Sequence, residues 1–323
     1  MRLPGNHFRM KPNRLIFILV KICVSAGLIF WITREVDLTA VWISLRSANV
    51  WLLGLAFAMY FVGYYITAWR WRILLTAQGV VAPIAYLYQS FMVAIFFNNL
   101  LPSTIGGDLS RMYDSWRLGH RKGDAVSVVL IDRLLGMSAL LLYALVATLW
   151  SAHVRQRLPM LLPLMILGCI AIALVLALLF YNNRFSTALG SWCVRIPVLS
   201  KAFGAVAAAI SAFRSNPIIL YQALGLSLLL QLNVIAHFYV LAQSLGIIIS
   251  FPAMFVVVPI SIVVMMVPIS INAIGVREVI FVYIFAVFGV PDSLALALAW
   301  IAFVFVVLQG VLGGIVFMAR RTR

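Results

Sequence analysis

Long apolar runs recur from one end of the chain to the other, and they limit the possible folds more than any other feature. The 323 residues are 65% hydrophobic and 10% charged, whereas soluble domains carry about 25% charged residues. No hydrophilic block is large enough for a soluble catalytic domain, and the period-two pattern of a membrane β-barrel is missing. The sequence therefore predicts an all-α polytopic membrane protein.

Six of the runs are long enough to cross a bilayer as helices. The first resembles a signal peptide, but it is long and no clear small-residue cleavage site follows, so we expect an uncleaved span. Two further apolar regions, 83–101 and 252–290, are interrupted by proline, glycine, asparagine and charge. The six expected spans are 15–33, 50–69, 125–150, 159–181, 217–242 and 293–317.

The basic residues fall on alternate sides of these runs. Of the 24 lysines and arginines, 17 lie in one set of segments (1–14, 70–82, 109–124, 182–216 and 318–323), and four lie in the other (34–49, 151–158 and 243–251). The positive-inside rule makes the first set cytoplasmic, with both termini. This explains most of the net charge of +16 without a nucleic acid partner.

The same rule constrains the two interrupted regions. Segments 70–82 and 109–124 are both expected in the cytoplasm, so 83–108 should enter the membrane and return as a re-entrant hairpin. By the same reasoning, 252–290 should enter and return from the outer side. The expected architecture is one domain, 1–323, with about six spans, two opposed hairpins and an interfacial cytoplasmic loop at 182–216; the alternative has eight or more crossings.

A polar stretch, FFNNLLPSTIGGDLSR (96–111), lies inside the first expected hairpin. Gly106 and Gly107 allow close backbone approach, and Asp108 is a suitable N-cap for a helix over 109–119. Arg111 would lie in the first turn, where free N–H groups and the helix dipole favour an anion such as phosphate. The alternative is a capped interfacial helix whose arginines face water.

Two further charge pairs lie inside apolar runs, in SVVLIDRLLG (127–136) and AIGVREVIFVY (273–283). Arg277 and Glu278 are adjacent, so on a regular helix they point about 100° apart and need other partners. We expect a crossed arrangement, in which Arg277 pairs with Asp132 and Glu278 pairs with Arg133. These pairs either rearrange during function or act as a structural lock.

Other polar features allow more than one interpretation. Asn233 and His237 are four residues apart, so they share a helix face and either line a polar path or bond to a neighbouring helix. The Trp69–Arg72 stretch is typical of an interface anchor. Gly310 and Gly314 form a small-residue face for helix packing or for a homodimer.

No enzyme signature is recognisable: the sequence contains no GxSxG, HExxH or Walker motif. The three cysteines show no spacing typical of a disulfide framework or a zinc site. We therefore expect a protein that is not an enzyme and that needs no cofactor or metal.

Three motifs, NNLLPSTIGGDLSR (98–111), SVVLIDRLLG and INAIGVREVIF (271–281), resemble the membrane domain of the lysylphosphatidylglycerol synthase/flippase family. The resemblance implies that the chain handles lipids, since this domain moves aminoacylated phosphatidylglycerol between leaflets in two-part relatives. The chain ends at Arg323, so we expect a stand-alone member without the aminoacyl-transferase domain. The motifs carry over Asn99, Pro102, Gly106, Gly107, Asp108, Arg111, Asp132, Arg133, Gly275, Arg277 and Glu278.

Three functions remain open from the sequence. The first is a flippase or scramblase for an anionic or modified phospholipid or a lipid-linked intermediate, with a head-group site built by the two hairpins. The second is an enzyme or accessory subunit in lipid-linked glycan or hopanoid synthesis, and the third is a membrane scaffold. The expected partners are a membrane phospholipid or lipid-linked substrate, with a homodimer or a lipid-modifying enzyme as further candidates.

Overall fold

The computed structural model describes residues 12–100, 105–119, 122–181, 213, 217–267, 269–270 and 272–321. All regular secondary structure in this part of the chain is α-helical. The helices are α1 (Pro12–Glu35), α2 (Leu38–Arg46), α3 (Val50–Ala77), α4 (Ile84–Leu100), α5 (Ile105–Arg117), α6 (Lys122–Trp150), α7 (Ala152–Arg157), α8 (Leu161–Tyr181), α9 (Pro217–Ser244), α10 (Phe251–Met265), α11 (Val276–Val287) and α12 (Asp292–Arg321).

Four helices are long and apolar enough to cross a membrane, namely those covering Val50–Ala77, Ala125–Trp150, Ile218–Ser244 and Asp292–Arg320. Shorter apolar helices lie at Ile84–Leu100, Leu161–Leu174 and Phe251–Met265. The protein is thus an all-helical, multi-pass membrane protein. The finer count of six spans and two hairpins stays a prediction, and the loop 182–216 lies outside the described residues except for Phe213.

Helices α2 and α3 each begin at a short polar side chain that caps the helix. The Asp37 carboxylate accepts hydrogen bonds from the backbone N–H groups of Thr39 and Ala40 and starts α2. Asn49 accepts from Trp51 and Leu52 in the same way and starts α3. Each cap satisfies N–H groups that a helix start leaves without partners, so α2 and the long α3 are separated by only a short turn.

Helices α4 and α5 form an antiparallel pair. Asn98, near the end of α4, bonds to Gly107 near the start of α5, and Ser90 bonds to Asp114 farther back on both helices. Helix α4 also runs antiparallel to α12, with Asn99 beside Val306 and Tyr86 beside Arg320. The seventeen residues of α4, about 25 Å long, therefore follow only the second half of α12.

Close helix packing brings α4 against α12. A Cβ atom added to Gly310 would overlap the Asn99 side chain, and one added to Gly313 would overlap the backbone carbonyl of Met92. A Cβ on Gly314 would lie 3.1 Å from the Phe96 ring. The small-residue face predicted from the sequence thus packs inside the protomer, against the first of the two expected hairpins.

Helices α10 and α11 pack against each other and are joined by an irregular turn. Asn272 and Ala273 in this turn have φ angles of 50° and 57°, in the left-handed region. The Asn272 amide reaches the Asn99 side chain at 3.4 Å. The end of α4 and the turn before α11, each in the interior of one interrupted region, therefore meet near the middle of α12.

Candidate functional site

A buried charge cluster lies where α3, α5, α6 and α9 meet. The Asp132 carboxylate accepts from Arg70 Nε at 2.6 Å and from Arg111 Nη1 at 2.9 Å, and all three side chains are about 95% buried. Arg70 Nη1 also donates to Ser227 Oγ at 2.7 Å. Two guanidinium groups thus share one carboxylate, and the cluster carries a net positive charge.

Arg111 has hydrogen-bonding capacity to spare. Its Nε and Nη2 atoms have no hydrogen-bond partner among the described residues, and the same is true of Ser115 Oγ and Trp71 Nε1. The guanidinium carbon lies 4.6 Å from the centre of the Trp71 ring, which supplies a cation–π contact. Buried donors without partners are costly, so this arrangement favours an anionic ligand.

The structure contradicts the crossed pairing expected from the sequence. Asp132 binds Arg70 and Arg111 rather than Arg277, and Arg133 Nη2 pairs with Asp108 Oδ2 at 2.5 Å rather than with Glu278. The reason is that α5 packs directly on α6 and brings its own carboxylate and guanidinium to that helix. The sequence shows only that all four groups lie inside apolar runs, and this does not decide which helices are neighbours.

The start of α5 also differs from its prediction. The helix begins at Ile105, so Asp108 lies within the first turn and is not the N-cap. The Gly107 N–H donates to Asn98 Oδ1 at 2.7 Å, and a Cβ on Gly107 would lie 2.5 Å from the Ala94 carbonyl oxygen. Gly107 is therefore needed for close packing, and its N–H is not available to a phosphate. Pro102 lies outside the described residues.

Arg277 and Glu278 lie together at the start of α11. Glu278 Oε2 accepts from the Gly275 backbone N–H at 2.7 Å and caps the helix. The nearest atoms of the two side chains, Arg277 Nε and Glu278 Oε1, are 3.6 Å apart, beyond hydrogen-bond range. Glu278 thus lies within ion-pair distance of Arg277, but Arg277 Nε and Nη2 have no hydrogen-bond partner in the described part of the chain. This geometry agrees with the prediction that the two adjacent residues cannot fully satisfy each other.

Arg111 and Arg277 lie at two different levels of the protein. Arg111 contacts Trp71 of α3, whereas Arg277 lies over Phe303 of α12. Phe303 is two residues from Phe305, whose ring centre lies 6.3 Å from that of Tyr60 on α3. Tyr60 and Trp71 are eleven residues apart, which corresponds to about 16 Å along a helix. A single site that holds both arginines, as the sequence suggested, is therefore not formed in this conformation.

Polar side chains that sequence reasoning missed lie between these two levels. The Tyr64 hydroxyl donates to Gln309 Oε1, and the Tyr60 ring lies beside that of Tyr64, with 6.3 Å between the ring centres. Gln309 is 4% exposed. The sequence signal that could have identified Gln309 is a polar side chain in the middle of a mostly apolar helix of 30 residues. Polar side chains are costly inside a membrane.

Asn233 and His237 connect α9 to α3. Asn233 Nδ2 donates to the Met59 carbonyl at 3.1 Å, and His237 Nδ1 lies 2.8 Å from the Ala56 carbonyl. Of the two sequence interpretations, this geometry fits the bond to a neighbouring helix. Of the interface anchor expected at 69–72, Trp69 and Arg72 are exposed and stay a prediction, but Arg70 and Trp71 are buried inside the protein.

An open groove of about 890 Å³ lies between α4, α5 and the last turns of α12. Its charged end contains Asp114, Arg117 and Arg320, and the Arg320 guanidinium lies 3.3 Å from Asp114. Its apolar walls include Phe97 and Leu109. The groove and the Arg111 cluster lie on two faces of α5, since Ser110 and Asp114 line the groove while Arg111 faces Asp132.

Among the described residues, no group of three or more His, Cys, Asp or Glu side chains is placed to hold a metal ion. The chemistry that this region offers is therefore that of guanidinium, hydroxyl and amide donors surrounded by aromatic rings.

Comparison with known proteins identifies the family. No curated protein sequence matches the chain. A family model described as the lysylphosphatidylglycerol synthase transmembrane region matches residues 18–314, which includes every helix of the charge cluster. The chain therefore belongs to the family of lysylphosphatidylglycerol synthase transmembrane regions.

Proposed function

We propose that the protein moves an anionic or modified phospholipid, or a lipid-linked intermediate, between the leaflets of a bacterial cytoplasmic membrane. The observation that carries this proposal is the buried cluster of Arg70, Asp132 and Arg111, which has a net positive charge and unpartnered guanidinium N–H groups. A phosphate diester supplies the missing negative charge and acceptors. Membership of a family named for a lipid synthase supports a lipid ligand.

The proposal gives the two interrupted regions a mechanical role. Regions 83–108 and 252–290 are re-entrant hairpins that approach from opposite sides, and both termini are cytoplasmic. The antiparallel course of α4 and α5 and the meeting of Asn99 with Asn272 support such an arrangement. Irregular backbone at this depth is tolerated because it is buried among helices. No catalytic step is part of this mechanism, and the lipid changes leaflet without chemical modification.

The test is lipid transfer in reconstituted vesicles. Purified protein is placed in vesicles that contain a phosphatidylglycerol labelled with a fluorophore on an acyl chain, and an impermeant reductant bleaches the label from outside. Wild-type protein should make nearly all of the label accessible, whereas protein-free vesicles expose only the outer half. Arg111→Gln should slow this transfer about tenfold or more, equivalent to about 1.4 kcal/mol or more of lost interaction.

The variant is chosen so that the fold survives. Without Arg111, Asp132 still pairs with Arg70, so no buried charge is left alone. Arg72→Gln is the matched control, because Arg72 is an exposed arginine on the same turn of α3 as Arg70. Equal transfer by wild-type protein and Arg111→Gln would contradict the proposed site, and no transfer by wild-type protein would contradict the function.

A further inference from the structure

A file of polar groups connects the two buried arginines. It begins at Arg111 and continues past Tyr64, which donates to Gln309. It then passes Tyr60, whose ring centre lies 6.3 Å from that of Tyr64, and ends at Arg277, which lies over Phe303 of α12. Phe91 links the first two positions, since its ring lies 5.5 Å from the Arg111 guanidinium carbon and 5.3 Å from the Tyr64 ring. The polar groups thus follow one another from Arg111 on α5, past side chains of α3 and α12, to Arg277 on α11.

Unpartnered donors lie at both ends of this file and at its centre. Besides the Arg111 and Arg277 nitrogens, Gln309 Nε2 has no hydrogen-bond partner among the described residues. Helices α5, α11 and α12 therefore place N–H donors without acceptors in the protein interior. Each such donor is costly unless a ligand supplies an acceptor. A structural ion-pair lock needs no donor at Gln309, so a lock alone does not explain the file.

The open groove between α4, α5 and α12 does not extend through the protein in the same way. Its contacts with α12 are Phe317 and Arg320, both in the last turns of the helix. Gln309 lies about 12 Å deeper along the helix than Phe317, and Arg277 contacts Phe303, deeper still. The groove therefore reaches one end of the bundle, whereas the file continues through its middle.

We propose that the file is the path of the anionic head group, and that Gln309 is the intermediate position at which the phosphate is held between Arg111 and Arg277. This inference rests on the proposed lipid transport and deepens it. The Gln309 amide offers donors without adding a full charge, so it can bind a phosphate without trapping it. The aromatic rings of Tyr60, Tyr64 and Phe91 form the walls.

The path is closed in this conformation. Gly310, Gly313 and Gly314 hold α4 tightly against α12, beside Gln309. Passage of a head group therefore requires α4 to move away from α12, and we expect the α4–α5 pair to move as one unit because Asn98 and Ser90 tie the two helices together.

Gln309→Glu and Gln309→Met test this path. The first places a negative charge on it, and the second removes the donors without adding charge. Gln309→Glu keeps an acceptor for the Tyr64 hydroxyl, so the fold should tolerate it. Gln222→Glu is the matched control, because Gln222 is exposed and lines a surface pocket near Trp69 and Arg72.

The measurement is the rate of phosphatidylglycerol transfer in reconstituted vesicles, beside the amount of phosphatidylglycerol that each purified variant retains. We expect Gln309→Glu to slow transfer about tenfold or more by repulsion between like charges, Gln309→Met to slow it less, and Gln222→Glu to match wild type. Retention should stay at the wild-type level, because the Arg111 cluster is intact.

Wild-type transfer rates in Gln309→Glu, or equal rates in the glutamate and methionine variants, would overturn the path while leaving lipid transport in place. Loss of lipid retention together with transfer would also overturn it, because Gln309 would then act on the first binding site. Absence of transfer in wild-type protein would instead remove the proposed function on which the path depends.

Discussion

At the scale of single residues, the main finding is how the protein compensates buried charge. Asp132 is bonded by two arginines, whereas the Asp108–Arg133 pair keeps partial contact with the surface. A buried charge whose partner is removed is far more costly than an exposed one. The two carboxylates should therefore respond very differently to the same change.

Asp132→Asn should destabilise the protein by about 3–5 kcal/mol, because Arg70 and Arg111 would remain buried without a negative partner. Asp108→Asn should cost about 1 kcal/mol or less, because the Arg133 side chain is 38% exposed and water can compensate its charge. Thermal unfolding of both variants in the same detergent gives the comparison. Similar unfolding temperatures for the two would contradict the assignment of Asp132 as the centre of a buried cluster.

Sequence reasoning identified most charged residues of the site but not their partners. Asp132, Arg277 and Glu278 stood out because charge inside an apolar run is rare, and Arg111 stood out because it was expected in the first turn of a helix that follows Gly106 and Gly107. Arg70 did not, because Trp69–Arg72 has the alternating aromatic and basic pattern of an interface anchor. Only the packing of α3 against α6 and α9 shows that Arg70 turns inward, and helix adjacency is a tertiary property that this pattern does not contain.

At the scale of helices, hydrophobicity predicted the long elements well. The expected span 217–242 corresponds to Pro217–Ser244, and 293–317 corresponds to Asp292–Arg321. The short helices α2 and α7 were missed because neither is a long apolar run. Their caps, Asp37 and Ser151, are the signals that could have indicated them.

The contact between α4 and α12 provides a prediction at this scale. Gly313→Ala should destabilise the protein by about 1–3 kcal/mol, because its methyl group would overlap the Met92 carbonyl and force the helices apart. Gly54→Ala is the matched control, since a methyl group there meets nothing within 4 Å. Thermal unfolding again measures the effect, and an unchanged unfolding temperature for Gly313→Ala would show that the two helices are not in close contact.

At the scale of the whole molecule, the proposed lipid transport depends on which side of the membrane each end of the two interrupted regions faces. Val81 and Gly119 flank the first region, and Ile248 and Asp292 flank the second; all four are exposed. Basic-residue counting places the first two in the cytoplasm and the last two outside. The sequence predicted this topology from charge alone, and it stays a prediction because helix lengths do not determine direction.

Single cysteines at these four positions, in a background without the native cysteines, test the topology with an impermeant maleimide. Positions 81 and 119 should be labelled only from the cytoplasmic side, and positions 248 and 292 only from the outer side. A cysteine at the exposed Gly79, two residues before Val81, provides a second site for checking the result at position 81. Labelling of positions 81 and 119 from opposite sides would show that region 83–108 crosses the membrane fully and is not a hairpin.

The central claim is that the Arg70–Asp132–Arg111 cluster holds the head group of an anionic lipid. Native mass spectrometry of gently solubilised protein measures this most directly, with wild type beside Arg111→Gln and the exposed-arginine control Arg72→Gln. If the cluster binds the head group, wild type and Arg72→Gln retain one class of anionic lipid that Arg111→Gln loses. Equal retention of the same lipids by all three proteins would contradict it and would leave the cluster as a structural lock between helices.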